Sequence, residues 1–299
     1  MHRYLRAVGF SNVETKYQEI RLLKSMEKAP PYGGQERSRH EQTYAELKCE
    51  VGEGFGVLLH GYRDEEGIFQ REFYFPYMEG QVVTTMAGGY VRRHGDKEAY
   101  AVLCEEYRLG SALIFFLTNG LKYRERMDEK RMTEIQSFSL TGLSVKGTIL
   151  LPVKKTEKQI ERINANTRVH NQMLEAAREG DESAMESLTM EDINLYSQIS
   201  RRMLKEDVYS IVDSCFMPTG VECDHYMVIG EISKCRVVEN FWTREKIWQM
   251  QINCNGLDMT ICINEKDLLG EPKEGRRFKG DIWLQGIGSF ADESGACHL

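Results

Sequence analysis

The clearest pattern in the chain is a two-residue alternation of apolar and polar positions close to its C-terminal end. Two runs share it: Trp248, Met250, Ile252 and Cys254, then Leu257, Met259, Ile261 and Ile263. Strict alternation indicates a strand with one buried face, and the intervening Asn255-Gly256 favours a two-residue type I′ turn. The sequence therefore predicts a β-hairpin with a polar outward face. That face consists of Gln249, Gln251, Asn253, Asp258, Thr260 and Cys262.

The segments around this hairpin have the pattern of a small barrel. A long strand is predicted at 226–238, where Gly230 would mark a bend. Residues 265–269 are compatible with a short helix, and 276–287 with a returning strand. These are parts of an OB-type barrel, although no fifth strand is evident here. Trp283 and Ile287 share a face with polar neighbours, so we expect them to contact the helical segment or a partner.

The rest of the chain divides by its helix breakers. Between Pro152 and Pro218 there is no proline and one glycine, Gly180, which predicts helices. The first 28 residues predict two helices separated by a turn, and the Pro- and Gly-rich stretch 29–40 predicts a loop. Short apolar stretches then predict an antiparallel meander or small barrel, with turns at Gly142 and Gly147. These stretches are 54–62, 69–77, 99–107, 111–117, 137–140 and 147–153.

Together these patterns predict an α+β protein. Its three parts would be an N-terminal β-rich domain with two leading helices at 1–153, a helical connector at 154–217, and an OB-like β-barrel at 218–299. A chain of 299 residues is long enough for two or three such units.

Charge and hydropathy narrow the classes of function. The formal net charge is −7, and no stripe of basic residues is visible. Because phosphate neutralisation supplies most non-specific affinity for nucleic acid, binding to nucleic acid is not expected. No apolar run is long enough to span a bilayer, and the first residues lack the apolar core of a signal peptide. We therefore expect a cytoplasmic protein without a membrane partner.

The cysteines and histidines do not form a known catalytic or metal-binding motif. The chain has eight cysteines, and no two are separated by only two residues, so reduced thiols and no bound metal are expected. His40-Glu41 lacks the second histidine of a zinc protease, since position 44 is Tyr44. The glycine-rich run 51–57 is followed by a strand rather than a helix, which favours a hairpin turn over a phosphate loop.

Two weaker candidates remain. His60, His94, Cys49 and Cys104 share the N-terminal region, so a Cys/His nucleophile pair stays open. His170 lies on an apolar helical stripe, where packing between helices is the commoner role. Neither gives an assembled set, so no catalytic, cofactor-binding or metal residue is assigned.

The hypothesis that follows is a non-enzymatic protein-interaction or scaffold role, with a protein partner or self-association. One alternative is an enzyme acting on a small molecule in an interdomain cleft. A cleft that holds His60 or His94 against a carboxylate or thiol would favour it. The other alternative is single-stranded nucleic-acid binding through the OB-like barrel.

Several stretches resemble an uncharacterised bacterial family found mainly in clostridia-type genomes. They are MHRYLRAVGFS at 1–11, EDVYSIVDSCFMP at 206–218, YMVIGEI at 226–232 and FKGDIWLQG at 278–286. The resemblance covers nearly the whole chain. It implies no activity and supplies no catalytic residues.

Overall fold

A computed structural model gives the fold for most of the chain. The ranges that it describes are 2–28, 35–39, 42–95, 97–109, 111–129, 133–153, 172–173, 176–177, 180–190 and 212–290. Most of these residues lie in β-strands. The predicted helical connector falls largely outside them, and so does His170.

The described residues contain several short helical elements. The N-terminal segment begins with a 3₁₀ helix, Arg3–Val8, followed by α1, Lys16–Lys28, as the sequence predicts. The helix α2, Gly120–Asp128, was not predicted. Residues 182–190 form α3 within the predicted connector. A short 3₁₀ turn covers Glu265–Asp267, where a helix-compatible stretch was predicted.

The strands run along the rest of the described chain. In order they are β1 Gln35–Arg39, β2 Gln42–Gly52, β3 Phe55–Arg63, β4 Phe69–Met78, β5 Gly89–Arg93, β6 Tyr100–Glu106, β7 Ser111–Leu117, β8 Ile135–Leu150, β9 Cys215–Pro218, β10 His225–Glu239, β11 Lys246–Cys254, β12 Leu257–Asn264, β13 Leu268–Leu269 and β14 Arg277–Phe290.

Strands β1 to β4 form an antiparallel sheet in sequence order. The glycine-rich run 51–57 is the β2–β3 hairpin, in which Gly54 has a φ of 76°. Strand β1 corrects the prediction of a loop over 29–40, of which 29–34 and 40 lie outside the described residues. Its sequence, QERSR, has no apolar alternation. Polar and charged side chains are typical of strands at the edge of a sheet.

The other ten strands form one large sheet in which five strands pair in a cycle. Strand β8 pairs in parallel with β12 and antiparallel with β14. From β12 the pairing continues antiparallel through β11 and β10 back to β14. Strands β7, β6 and β5 extend the sheet from β14, and β5 ends it. The large sheet combines strands from the predicted N-terminal domain, 1–153, with strands from the predicted C-terminal domain, 218–299. The division into these domains stays a prediction.

Strand β8 corrects the prediction of two short stretches, 137–140 and 147–153, with turns at Gly142 and Gly147. Both glycines lie inside one continuous strand, facing other side chains of the cycle. A Cβ on Gly142 would lie 2.8 Å from Ile282 Cδ1 and 2.9 Å from Ile261 Cδ1. Here glycine permits close packing rather than chain reversal.

Two clusters of buried apolar side chains hold the layers together. The first contains side chains of β5 to β8 and the apolar faces of β10, β11, β12 and β14. The second lies between the four-stranded sheet, the N-terminal helices and the other face of the cycle. In the second cluster the cycle contributes Leu143, Ile247, Cys262 and Trp283.

The predicted hairpin is confirmed, but one half of its outward face is not outward. Asn255 and Gly256 have φ angles of 52° and 80°, and Cys254 pairs with Leu257. Gln249, Thr260 and Cys262 were expected on the surface and are buried. The 3₁₀ helix covers this side of the cycle, and Cys262 Sγ donates to the carbonyl oxygen of Ala7.

Trp283 is also covered by the N-terminal region. Its ring lies 4.9 Å from that of His2, 5.5 Å from Tyr4 and 5.4 Å from Phe116. Its indole Nε1 donates to Asp224 at 2.7 Å. Trp283 is thus buried against the N-terminal region and β7 of its own chain, whereas the expected contact of Trp283 and Ile287 with the helical segment or a partner stays a prediction.

We expect Gly256→Val to lower the free energy of unfolding by about 1–3 kcal/mol, because a β-branched residue at a φ of 80° is strained. Space is not the cause, since a Cβ there would lie 3.7 Å from Arg108 Cδ. Gly88→Val is the control, as Gly88 has no left-handed φ and open space around it. Urea unfolding of the three proteins gives the comparison, and equal losses in both variants would contradict the turn geometry.

Candidate functional site

The candidate Cys/His nucleophile pair is not formed. Cys49 and His60 lie on neighbouring strands but on opposite faces, since His60 opposes Glu46 across β2 and β3 whereas Cys49 opposes Val57. Cys104 lies in the first apolar cluster, and His94 is exposed in the turn after β5. Burial raises the pKa of both Cys49 and Cys104 to about 11, so both thiols are protonated at neutral pH.

His60 instead belongs to a buried cluster on the four-stranded sheet. Its Nε2 lies 3.4 Å from Glu46 Oε2, and its Nδ1 lies 3.5 Å from the hydroxyl of Tyr44. The imidazole stacks on Phe73 at 4.7 Å and on Phe75 at 5.3 Å. His60 therefore meets a carboxylate, as the enzyme alternative requires, but only 2% of the residue is exposed.

Burial shifts the two ionisable groups of this cluster in opposite directions. It lowers the pKa of His60 to about 3, and together with the charge of Glu125 it raises the pKa of Glu46 to about 7. Both shifts favour the neutral form, so near pH 7 the imidazole is uncharged and the carboxyl group is close to half protonated. The pair is therefore not an ion pair, because the imidazole carries no charge at this pH.

A second histidine, the half-buried His2, lies directly before the N-terminal 3₁₀ helix. The backbone N–H of His2 donates to Glu19 and to the hydroxyl of Tyr74, each at 3.1 Å. Burial lowers the pKa of the His2 imidazole to about 4, against the raising effect of the Glu19 charge. These contacts fix the first residues of the chain onto the four-stranded sheet.

Beside it, Asp224 joins two elements of the large sheet. One carboxylate oxygen lies 2.9 Å from Nδ1 of His225, and the other accepts from Trp283. Burial opposes ionisation, but these hydrogen bonds from His225 and Trp283 outweigh it and lower the pKa of Asp224. Both oxygens of the Asp224 carboxylate therefore have partners within the chain, which explains its position.

An open groove of about 910 Å³ lies at the other end of the large sheet. Its walls are the segment between β4 and β5, the first half of β5, and the ends of β6 and β8. The lining residues are Val83, Thr84, Thr85, Met86, Ala87, Gly88, Gly89, Tyr90, Glu105, Arg108, Glu134 and Ile135.

Arg108 makes one wall of this groove rigid. Its guanidinium donates to Glu106 at 2.7–2.8 Å, to the carbonyl of Thr84 at 2.9 Å and to that of Gly256 at 2.8 Å. Burial opposes ionisation of Glu106, but the hydrogen bonds from Arg108 and Thr85 lower its pKa. Thr84 in turn donates to the carbonyl of Asp258 at 2.6 Å. The groove is thus tied to the hairpin turn of the five-strand cycle.

Large apolar side chains are exposed around this groove. Val83 is 58% exposed, Met86 79% and Tyr90 71%. Tyr90 opposes Leu103 across β5 and β6, and Leu103 is itself 38% exposed. We call these four residues the β5 surface.

Comparison with known proteins gives a family and no activity. A family model described as "Domain of unknown function, E. rectale Gene description (DUF3881)" matches residues 5–286. The chain belongs to this family. The resemblance to an uncharacterised, clostridia-type bacterial family is thereby confirmed. Searches of the curated proteins and of the solved structures found no significant match.

Within the described ranges, no group of three or more His, Cys, Asp or Glu side chains is arranged to hold a metal ion. No helix in the described part of the chain is both long and apolar enough to cross a membrane.

The sequence did not indicate the β5 surface, because its residues follow no periodic pattern. Val83 and Met86 lie in an irregular segment, and the five residues of β5 alternate too briefly to predict a strand. The one available signal was the glycine pair 88–89 directly before Tyr90. Glycines at that point suggest a chain break rather than a binding surface.

We expect Glu46→Gln to remove a pH-dependent loss of stability. The pKa of Glu46 is raised to about 7 in the folded protein, so its contribution is present below its ordinary pKa and lost as the pH rises through 7. Between pH 5 and pH 8, the free energy of unfolding should therefore fall by about 2 kcal/mol less in the variant than in the wild type. Urea unfolding at the two pH values measures this change.

Glu65→Gln, at an exposed position in the turn between β3 and β4, controls for the general loss of one negative charge. A stability difference between Glu46→Gln and wild type that stays the same at pH 5 and pH 8 would contradict the burial of the Glu46 carboxyl group.

Proposed function

We propose that the chain is a non-enzymatic protein-interaction module and that it docks an extended segment of another protein chain on the β5 surface. The observation that carries this proposal is the exposure of Val83, Met86 and Tyr90 around one groove. Contiguous exposed apolar side chains of this size are typical of interaction sites. Within the described residues β5 pairs with β6 alone, so its other edge can accept a strand.

The contacts of Arg108 give the groove a preformed wall. Arg108 uses its guanidinium to join Glu106, Thr84 and Gly256, so it holds the groove in shape. A preformed surface loses little conformational entropy when a partner binds, which favours affinity.

The enzyme alternative has less support. The group that it needs, a histidine against a carboxylate, is present as His60 and Glu46. However, His60 is 2% exposed and the Glu46 side chain 18% exposed, and neither lines the groove. A general acid or base has to reach the proton that it transfers. The burial of this pair supports a structural role for it.

We also propose that the five-strand cycle is an OB-type barrel. Strand β10 would be its long first strand, β11 and β12 its hairpin, and β14 its returning strand. Strand β8 would supply the fifth strand from an earlier part of the chain, through its pairing with both β12 and β14.

This proposal lowers the support for binding of single-stranded nucleic acid. OB barrels bind oligonucleotides on the face of the hairpin strands. On that face Gln249 donates to the backbone of Glu53 at 2.8 Å, and Cys262 lies under Ala7. The chain's own N-terminal region therefore occupies part of the surface that a nucleic acid would need. A cytoplasmic location is consistent with the seven free cysteines among the described residues.

The interaction is tested by photo-cross-linking in the full chain. A photoreactive phenylalanine derivative at Met86, introduced in a bacterial host, should give an adduct with one protein that mass spectrometry identifies. The adduct should be lost when Tyr90→Lys is added, because a charge then replaces the exposed ring of the β5 surface. Leu269, which is 71% exposed on β13, is the matched control position.

Adducts of equal yield and identity at Met86 and Leu269 would contradict the proposal. So would the absence of any protein adduct at Met86.

A further inference from the structure

Strand β5 is an open edge of the large sheet within the described residues. It ends the ten-stranded sheet, and it is only five residues long, Gly89–Arg93. Val91 packs against the first apolar cluster while remaining partly exposed, so its uncovered part lies at the edge of that core. A strand added alongside would complete the cover of Val91.

We infer that the segment docked on the β5 surface is β5 of a second copy of this chain. The two strands would run antiparallel, with Val91 opposite Val91 of the second copy. This inference rests on the proposed function and names its partner. A two-fold axis through this point would join the two large sheets into one.

The charges of β5 favour this register. If the apolar faces of both sheets lie on the same side, odd-numbered residues of β5 oppose odd-numbered residues of the second copy, and even-numbered residues oppose even-numbered ones. In the register centred on Val91, Tyr90 faces Arg92 of the second copy, and Gly89 faces Arg93. Each guanidinium of Arg92 then lies beside an aromatic ring, an arrangement that favours cation–π contact. Two such pairs form, one on each side of the axis.

The neighbouring registers are poorer. Centring the pair on Arg92 places two guanidinium groups directly opposite each other, and like charges in that position destabilise a sheet. Centring it on Tyr90 leaves only three residues of each β5 in the pair. The register centred on Val91 is the one that keeps all five residues without opposing like charges.

The size of this contact sets the expected strength. Stable interfaces bury about 1,200–2,000 Å² in total, and five strand residues with Met86 on each side bury less than that. The expected dimer is therefore reversible, with a dissociation constant in the micromolar range.

The test is sedimentation of the full chain from about 1 to 200 μM, with variants that change the Tyr90–Arg92 pair. Tyr90→Lys opposes a lysine to Arg92 of the second copy and should weaken dimerisation about tenfold. Adding Arg92→Glu restores opposite charges at the same two positions and should recover dimerisation. Leu269→Lys, at an equally exposed apolar position on β13, should leave it unchanged.

Recovery in the double variant separates register from folding, because a misfolded Tyr90→Lys protein would not be rescued by a second charge change. A chain that stays monomeric over this range would overturn the inference. So would failure of the double variant to recover, or an equal loss in Leu269→Lys. If the wild type is monomeric and Met86 still cross-links to a different protein, the inference fails while the proposed function stands.

Discussion

The pairing of β8 on both of its edges is the constraint on which the rest of the structure depends. Its parallel contact with β12 and its antiparallel contact with β14 close the five-strand cycle. Ser144 strengthens the join where β14 is irregular, since its hydroxyl donates to the carbonyl of Asp281 at 2.9 Å. Gly142 and Gly147 allow the other side chains of the cycle to pack against β8. The same strand contributes Leu140 to the first apolar cluster and Leu143 to the second.

Closing the cycle decides which surfaces the N-terminal region can cover. The 3₁₀ helix lies against β8 and β12, fixed by Arg6, which donates to both oxygens of Asp267 at 2.6–2.7 Å. Asn240 holds the end of the same helix by donating to the carbonyl of Val8 at 2.7 Å. The four-stranded sheet then packs beside it, through Phe75 against Phe116 and Trp283. Of the strands that extend the sheet from β14, β7 contacts this cover through Phe116, whereas β5, the last of them, pairs with β6 alone and remains an open edge in the described structure.

The elements that could be predicted are those whose signal is local. The hairpin β11–β12 has a two-residue alternation and a specific turn, so both its register and its buried face follow from neighbouring residues. Strand β8 could not be recognised, because Gly142 and Gly147 are typical of turns and its two partners lie more than 100 residues away. The polar strand β1 carries no alternation at all. The burial of Gln249 and Thr260 depends on segments that only the tertiary structure brings near.

The same reasoning explains what could be predicted of the candidate site. Buried thiols at Cys49 and Cys104 were among the possibilities, but the faces on which they lie depend on strand register. The exposure of Met86 and Tyr90 depends on which strands the N-terminal region leaves uncovered. No local pattern carries that information, although a family of unknown function was recognisable from the sequence.

The most direct test of this account is native-state hydrogen exchange of the β8 backbone. If β8 closes the five-strand cycle, the amides of Leu143 and Ser144 should exchange only on global unfolding, with the same opening free energy as the amides of Met250 and Ile261. If β8 is an added strand on a barrel that is complete without it, its amides will exchange through a smaller opening while those of β11 and β12 stay protected. That second result would contradict the account.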